Sequence, residues 1–402
     1  MLWTVAVGLI LLLCFATLRQ RPFDPEAVRH FPLAVLERGR QFSREVSIAA
    51  TIRSLLSLGL MLALCFHPVG TRVLRWLERQ GRGRFWLALI CVALGVTLLT
   101  SLVELPFSFY LGHLHEKAYG LSRQSAAGWF ADYAKHMLLN LTLSLPLWIP
   151  LYWLMRRWPR GWWLPGAAFN IAVSGLFVLI YPVVIMPLFN QMSPVKDPQI
   201  VAMIHGLANR AQVRVEAISE MKVSDKTSRV NAMVTGLGPT KLVVLLDTLL
   251  QQFSRDEVEV VMAHELAHAA YQDVVVGWLA SGAGEVAVLC VVAWALRGMV
   301  GVGPLRLAAP HSPRGLAVLL LLFSLIGEVT GPAQNIISRR AETRADRFAI
   351  TLTGKPQAFV SSFKKLAAGN PGDVDPPPLV EFLSYSHPSV TNRLRAATQM
   401  GR

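Results

Sequence analysis

The chain has 402 residues, of which 53% are hydrophobic and only 16% charged, with a formal net charge of +14. Its apolar residues come in long blocks, which excludes an ordinary soluble enzyme. The basic excess would suggest nucleic acid as a partner of a soluble protein; here the arginines flank the apolar blocks, no nucleic-acid motif is present, and that partner is rejected. In chain order, the segments at about 2–18, 48–66, 85–112, 137–155, 166–190, 274–296 and 315–337 are each apolar enough to cross a bilayer as a helix. Arg19 and Arg21 follow the first segment and no small-x-small cleavage site precedes them, so it reads as an uncleaved anchor. The prediction is a multi-pass membrane protein, with residues 1–190 supplying five membrane helices and 274–337 two more. Cys14, Cys65, Cys91 and Cys290 all fall within predicted spans and have no ligand spacing, so they read as small apolar residues. Arginine outnumbers lysine thirty to nine, a bias of GC-rich bacterial genomes.

Residues 191–273 form the first long polar region. The pattern there predicts a helix near 197–211, strands at 213–219, 228–234 and 241–246, and a turn at Gly236 to Pro239. A further helix follows: Ser254 with Glu257 three residues on makes a capping box, and Val258, Val261, Met262 and Leu266 give it an apolar stripe. That helix carries His264-Glu265-Leu266-Ala267-His268. Two histidines at i and i+4 project from one helix face, close enough for both imidazoles to bind one metal ion. Glu265, beside the first of them, is placed to take a proton from water. The bland alternative is a buried helix with two satisfied histidines.

A catalytic zinc keeps three protein ligands, so two histidines are insufficient. The third candidate is Glu342, in the charged run Ser338 to Asp346 that opens the second polar region, 338–402. Asp346 lies one turn further on the same face, where it can hold a histidine ring from behind. The alternative is a solvated helix end laced with ion pairs. Two spans separate His268 from Glu342, so both return to the same membrane side. Glu285 and Glu328 lie within those spans and read as cavity-facing polar groups. Beyond the charged helix come the proline-rich loop Asp373 to Pro378 and a short C-terminal helix. Both polar regions are small, and one domain around the membrane helices is expected.

These residues carry a family resemblance. The His264–His268 helix, Glu342-x-x-x-Asp346 and the flanking spans resemble the integral-membrane zinc endopeptidases of the type I CAAX prenyl protease family. So do Leu105 to Tyr110 leading into Glu116 to Gln124, Tyr181-Pro182 before Pro187 to Asn190, Ser228 to Ala232 ending at Gly236, and Tyr385 to Ser389 with Arg393 beyond. The resemblance covers most of residues 100–400. It implies a mainly α fold, a membrane helical barrel of about seven spans enclosing a water-filled chamber, with a small α+β zincin-like catalytic domain. It implies one zinc ion on His264, His268 and Glu342, a peptide added as a strand beside Asn231, substrate binding by Asn231 and His387, and support of the site by Arg393. Two features depart from the family. His268 is followed by Ala269, with Asp273 where a further histidine is common, which is closer to the HtpX-type quality-control membrane proteases. The chain ends Gln399-Met400-Gly401-Arg402, which is not an endoplasmic-reticulum retrieval signal.

The function expected is peptide-bond hydrolysis by zinc-activated water, with Glu265 as general base. The substrate is a peptide or membrane protein, either a CAAX-type C-terminus or a damaged membrane protein. A different class, a metal-binding transporter with Glu285 and Glu328 lining a pathway, would not require Glu265 between two ligands. Charge in the loops is divided over sidedness. The resemblance implies a metal site facing the cytoplasm, and a bacterial inner membrane is the expected location.

Overall fold

The computed structural model describes residues 2–19 and 21–400. Met1, Gln20, Gly401 and Arg402 lie outside them, so the chain end quoted above is not described. Among the described residues, six helices are long and apolar enough to cross a membrane: Leu33–Phe66, Phe85–Ala118, Ala126–Arg157, Trp163–Phe189, Asp273–Gly298 and Gly315–Thr353. The first predicted span, Leu2–Leu18, is a shorter apolar helix of 17 residues packed against Leu33–Phe66 and Gly315–Thr353. Many large apolar side chains on these helices point outward, such as Leu102, Leu138 and Trp294, as lipid contact requires. Inward they share one core built on Leu58, Val92, Tyr152, Trp162, Leu289 and Leu316. The protein is a multi-pass integral membrane protein.

The membrane helices run past the predicted spans, and the reason is local. Leu33–Phe66 begins fifteen residues before the apolar block because its polar first turns pack against the polar half of the chain through Leu36. Pro106 and Pro182 remove backbone donors, and π-helical turns follow or contain them at Tyr110–His115 and Tyr181–Ile185. Gly315–Thr353 matters most for the site. The charged run after 337 is no separate helix; it continues the last span for a further four turns, carrying Glu342 and Asp346 on the same rigid rod.

A four-stranded sheet lies in the polar half, with β1 Gln191–Pro194, β2 Ala217–Lys222, β3 Ala232–Thr235 and β4 Leu242–Leu246 in the order β1-β2-β4-β3. β2 pairs parallel with β4, and β1 and β3 pair antiparallel at the edges. Two predicted strands are shorter and later than expected: 213–219 becomes Ala217–Lys222, and 228–234 becomes Ala232–Thr235. The displaced residues are tied elsewhere, since Val213 N–H donates to Ala208 at the helix end and Ser228 N–H donates to Leu121. β1 was not predicted; its polar, proline-ended sequence has no strand signature. One core joins this region to the C-terminal helices through Val243, Leu249, Met262, Leu266, Ala349, Phe359 and Leu394, with Ala27 and Leu36 from the N-terminal half.

Candidate metal centre

Arg255–Ala270 forms the motif helix. Ser254 accepts from Glu257 N–H while the Glu257 carboxylate accepts from Ser254 N–H, so the predicted capping box is complete. Its buried face, including Val258, Met262 and Leu266, fixes its roll, so that His264 and His268 both turn toward the Gly315–Thr353 helix packed alongside. The two Nε2 atoms stand 3.3 Å apart. Glu342 faces them from the second helix, Oε2 at 3.2 Å from His264 Nε2 and Oε1 at 3.4 Å from His268 Nε2. One ligand atom from each residue lies within 4.8 Å of the others, the one such group among the described residues.

Each imidazole is held from behind by a carboxylate. His264 Nδ1 is 3.0 Å from Asp346 Oδ1, and His268 Nδ1 is 2.9 Å from Asp273 Oδ2. A carboxylate accepts a proton bond, so each neutral ring keeps its hydrogen on Nδ1 and turns an Nε2 lone pair toward the shared space. Glu342 Oε2 is buried with no hydrogen-bond partner, 3.2 Å from His264 Nε2 and 3.5 Å from the Arg393 guanidinium. A buried carboxylate oxygen without a donor costs free energy unless a cation sits beside it. The donor set therefore fits a metal ion: two imidazole nitrogens, one carboxylate and excess negative charge from three acids around two rings. That charge shows in the rings. Burial works against charging His264, yet the Asp346 and Glu342 carboxylates on either side of the ring outweigh it and raise its pKa to about 9, so the site draws positive charge to this ring, whether a proton or a metal ion.

The other predicted residues distribute unevenly. Arg393, in the helix Val390–Met400, grips Asp346 with two bonds, Nε to Oδ2 at 2.8 Å and a terminal nitrogen to Oδ1 at 2.5 Å. The same guanidinium is 3.5 Å from Glu342 and lies 4.1 Å over the Phe363 ring. His387 reaches Glu342 Oε1 at 3.3 Å from an exposed loop, and burial among neighbouring charges lowers its pKa. Glu265 is half-buried with no hydrogen-bond partner among the described residues, and burial raises its pKa above the usual carboxylate range. Asn231 is exposed just before the edge strand β3, beside the motif helix; its Oδ1 accepts from Ala232 N–H and makes no contact with the histidines. Glu328 lines a cavity between membrane helices, and Glu285 accepts from Asn170, so neither joins the cluster.

Asp273 was not foreseen as a partner of His268. Gln272 adopts a left-handed conformation, φ 55°, which folds the chain back after the motif helix and brings the first residue of the next membrane helix under the ring. Arg344, from the Glu342 helix, bonds Asp273 and stacks 4.1 Å over Tyr271. The signal in the sequence was an acid five residues past the second histidine, but reach from i to i+5 depends on that turn.

A model of Peptidase family M48 matches residues 194–400, half of the chain, and a model of the CAAX prenyl protease N-terminal region, five membrane helices, matches 15–191. The chain belongs to peptidase family M48. An uncharacterised metalloprotease of Bacillus subtilis, YhfN, is 31% identical over 84% of this chain and 79% of its own. CAAX prenyl protease 1 of Saccharomyces cerevisiae is 26% identical over 74% of this chain and 69% of its own. The crystal structure of Ste24p from S. mikatae superposes with a TM-score of 0.86 at 23% identity, covering 98% of this chain and 97% of that one. That likeness shows the helical membrane fold with its small sheet. Membership in M48 makes the protein a membrane metalloprotease and implies a metal ion.

Proposed function

We propose that this M48 protein is a membrane-embedded zinc endopeptidase in which His264, His268 and Glu342 hold one zinc ion and Glu265 is the general base. The observation that carries the reading is the convergence of three ligand atoms within 4.8 Å, each imidazole backed by its own carboxylate. Two imidazoles and a carboxylate suit zinc and leave a position open. When bound, zinc supplies Lewis acidity for the scissile carbonyl and makes water a nucleophile near neutral pH. Glu265 takes the proton from the attacking water and delivers it to the departing amine as the C–N bond breaks. Its burial suits that task, since a raised pKa makes the carboxylate a better base. Asp346 and Asp273 hold the histidine tautomers, and Arg393 holds Asp346. His387, on the open side of Glu342, donates to the oxyanion that develops on the substrate. Asn231 and β3 receive an extended peptide backbone.

The substrate is an extended polypeptide segment reaching the site from the membrane side. A cavity of about 700 Å³ runs between Leu2–Leu18, Leu33–Phe66 and Gly315–Thr353 and is lined at one end by Tyr385, two residues before His387. CAAX-type C-terminal processing is supported by the curated relatives named for it. Asp273 behind His268 favours a second reading, quality control of membrane proteins, because this acid is the departure from the prenyl-protease pattern. We place the protein in a bacterial inner membrane with its metal site toward the cytoplasm, and we read 191–273 and 338–402 as its catalytic regions. The test is purified protein in detergent: one zinc per chain and chelator-sensitive peptide cleavage support the reading. Zinc with ion flux in vesicles and no cleavage would replace it with transport.

A further inference from the structure

The outer edge of β3 is where a peptide strand would add, and its hydrogen-bonding groups can be assigned by parity. Leu246 N–H donates to the Asn231 carbonyl, so Asn231, Met233 and Thr235 direct their backbone groups toward β4. Val230, Ala232 and Val234 therefore direct theirs outward, away from the sheet. Three of these outward positions differ in state. At Val234 both groups have no protein partner among the described residues. At Ala232 the N–H is taken by the Asn231 side chain and the carbonyl is free. At Val230 both groups are taken by one side chain: Asn370 Oδ1 accepts from Val230 N–H at 3.1 Å, and Asn370 Nδ2 donates to the Val230 carbonyl at 2.8 Å.

A carboxamide that bonds both the N–H and the C=O of one residue occupies the place of a paired strand residue. We propose that Asn370 is a register stop: it fills the peptide slot opposite Val230 and ends the substrate ladder at Ala232. Its position is fixed by the core helix Pro356–Gly369, after which its own N–H donates back to Leu366. At the other end the edge closes at Gly236, whose positive φ of 81° and approach to Thr240 turn the chain away. Between these stops only the Ala232 carbonyl and both groups of Val234 can pair with a peptide, so a peptide short enough to offer a single pairing segment is held in one antiparallel register. Since the strand repeat is two residues, any other register moves the peptide by two and carries a different bond to the metal centre. Asn370 thus selects which bond is cut. The inference rests on the protease reading above and deepens it.

The experiment maps cleavage products by mass spectrometry for wild type, Asn370→Ala and Asn370→Leu, using short synthetic peptides that the wild type cuts at one bond. Asn370→Ala should yield a second product displaced by two residues, at a tenth or more of the total, with zinc content unchanged. Asn370→Leu fills the slot without polar groups and should keep the single product. A single unchanged cleavage position in folded Asn370→Ala would overturn the proposal. Amide exchange in full-length protein that keeps Asn370 decides the matter if the Asn370 variants fold poorly. The Val230 N–H should be protected in the free protein, and the Val234 N–H only once Glu265→Gln protein has bound peptide. Rapid exchange at Val230 in the free protein would equally overturn it. Peptides that no protein cuts would count against the protease reading, while Val230 protection would still report on the slot.

Discussion

At the scale of single residues, the proposed site divides its labour between groups that would face a cation and groups that hold them. His264→Ala, His268→Ala or Glu342→Ala leaves two donors where a stable catalytic zinc uses three, so each variant should lose stoichiometric zinc by metal analysis. Full zinc affinity in Glu342→Ala, with loss in Glu285→Ala or Glu328→Ala, would show that a membrane carboxylate is the ligand instead. Asp346→Ala and Asp273→Ala remove the acceptors behind the rings, together with the partners of Arg393 and Arg344, and should weaken zinc by about 10–100-fold. His387→Ala should leave zinc in place and lower kcat by about a hundredfold or more, as removal of an oxyanion donor does. Normal kcat per folded molecule would strike His387 from the site. The pairing of His264 with His268 was legible in the sequence because helix periodicity dictates which side chains share a face, and Glu342 was reached from its spacing to Asp346 and the two spans that return it to the same membrane side. Asp273 and Asn370 were not, because their contacts depend on a left-handed turn at Gln272 and on a helix end brought 140 residues along the chain to Val230.

At the scale of elements, the motif helix is held in register by its N-terminal cap. Glu257 is buried, accepts from Ser254 N–H at 2.7 Å, from Ser361 at 2.6 Å and from Lys365 at 2.7 Å, and so pins the helix to Pro356–Gly369. Burial tends to raise its pKa, but these donors outweigh that and lower it. A carboxyl whose folded pKa lies below its unfolded value contributes stability that is present above the unfolded value and lost as pH falls through the folded one. Glu257→Gln should therefore lower the unfolding midpoint near neutral pH by the equivalent of about 1–2 kcal/mol. The gap to wild type should narrow as pH falls below the ordinary carboxylate range. A gap that stays constant with pH in calorimetry would show that the Glu257 charge contributes nothing. The capping box was readable from Ser254 and Glu257 alone. The strands were less so, since the residues preceding β2 and β3 are claimed by a helix end and by Leu121, contacts that no local pattern announces.

At the scale of the whole molecule, the architecture makes the metal centre an extension of the membrane helices. Glu342 and Asp346 ride on the last span, Asp273 starts the span before it, and Arg344 joins the two. Hydropathy placed the spans well, because long apolar blocks have few alternatives in a bilayer. It could not show that the last span and the charged helix are one rod, since composition changes at residue 337 while the backbone does not. Metal binding should accordingly stabilise the fold as well as the chemistry. At free zinc about a thousandfold above its Kd the linkage is worth about 4 kcal/mol, and a chelator should lower the unfolding midpoint of wild type but not of Glu342→Ala. The most direct test of the account compares wild type with Glu265→Gln, both loaded with zinc in detergent. The amide keeps the shape of the side chain but cannot accept a proton from water. The account predicts equal zinc content, equal unfolding midpoints and peptide cleavage only in the wild type; wild-type turnover by zinc-loaded Glu265→Gln would contradict it.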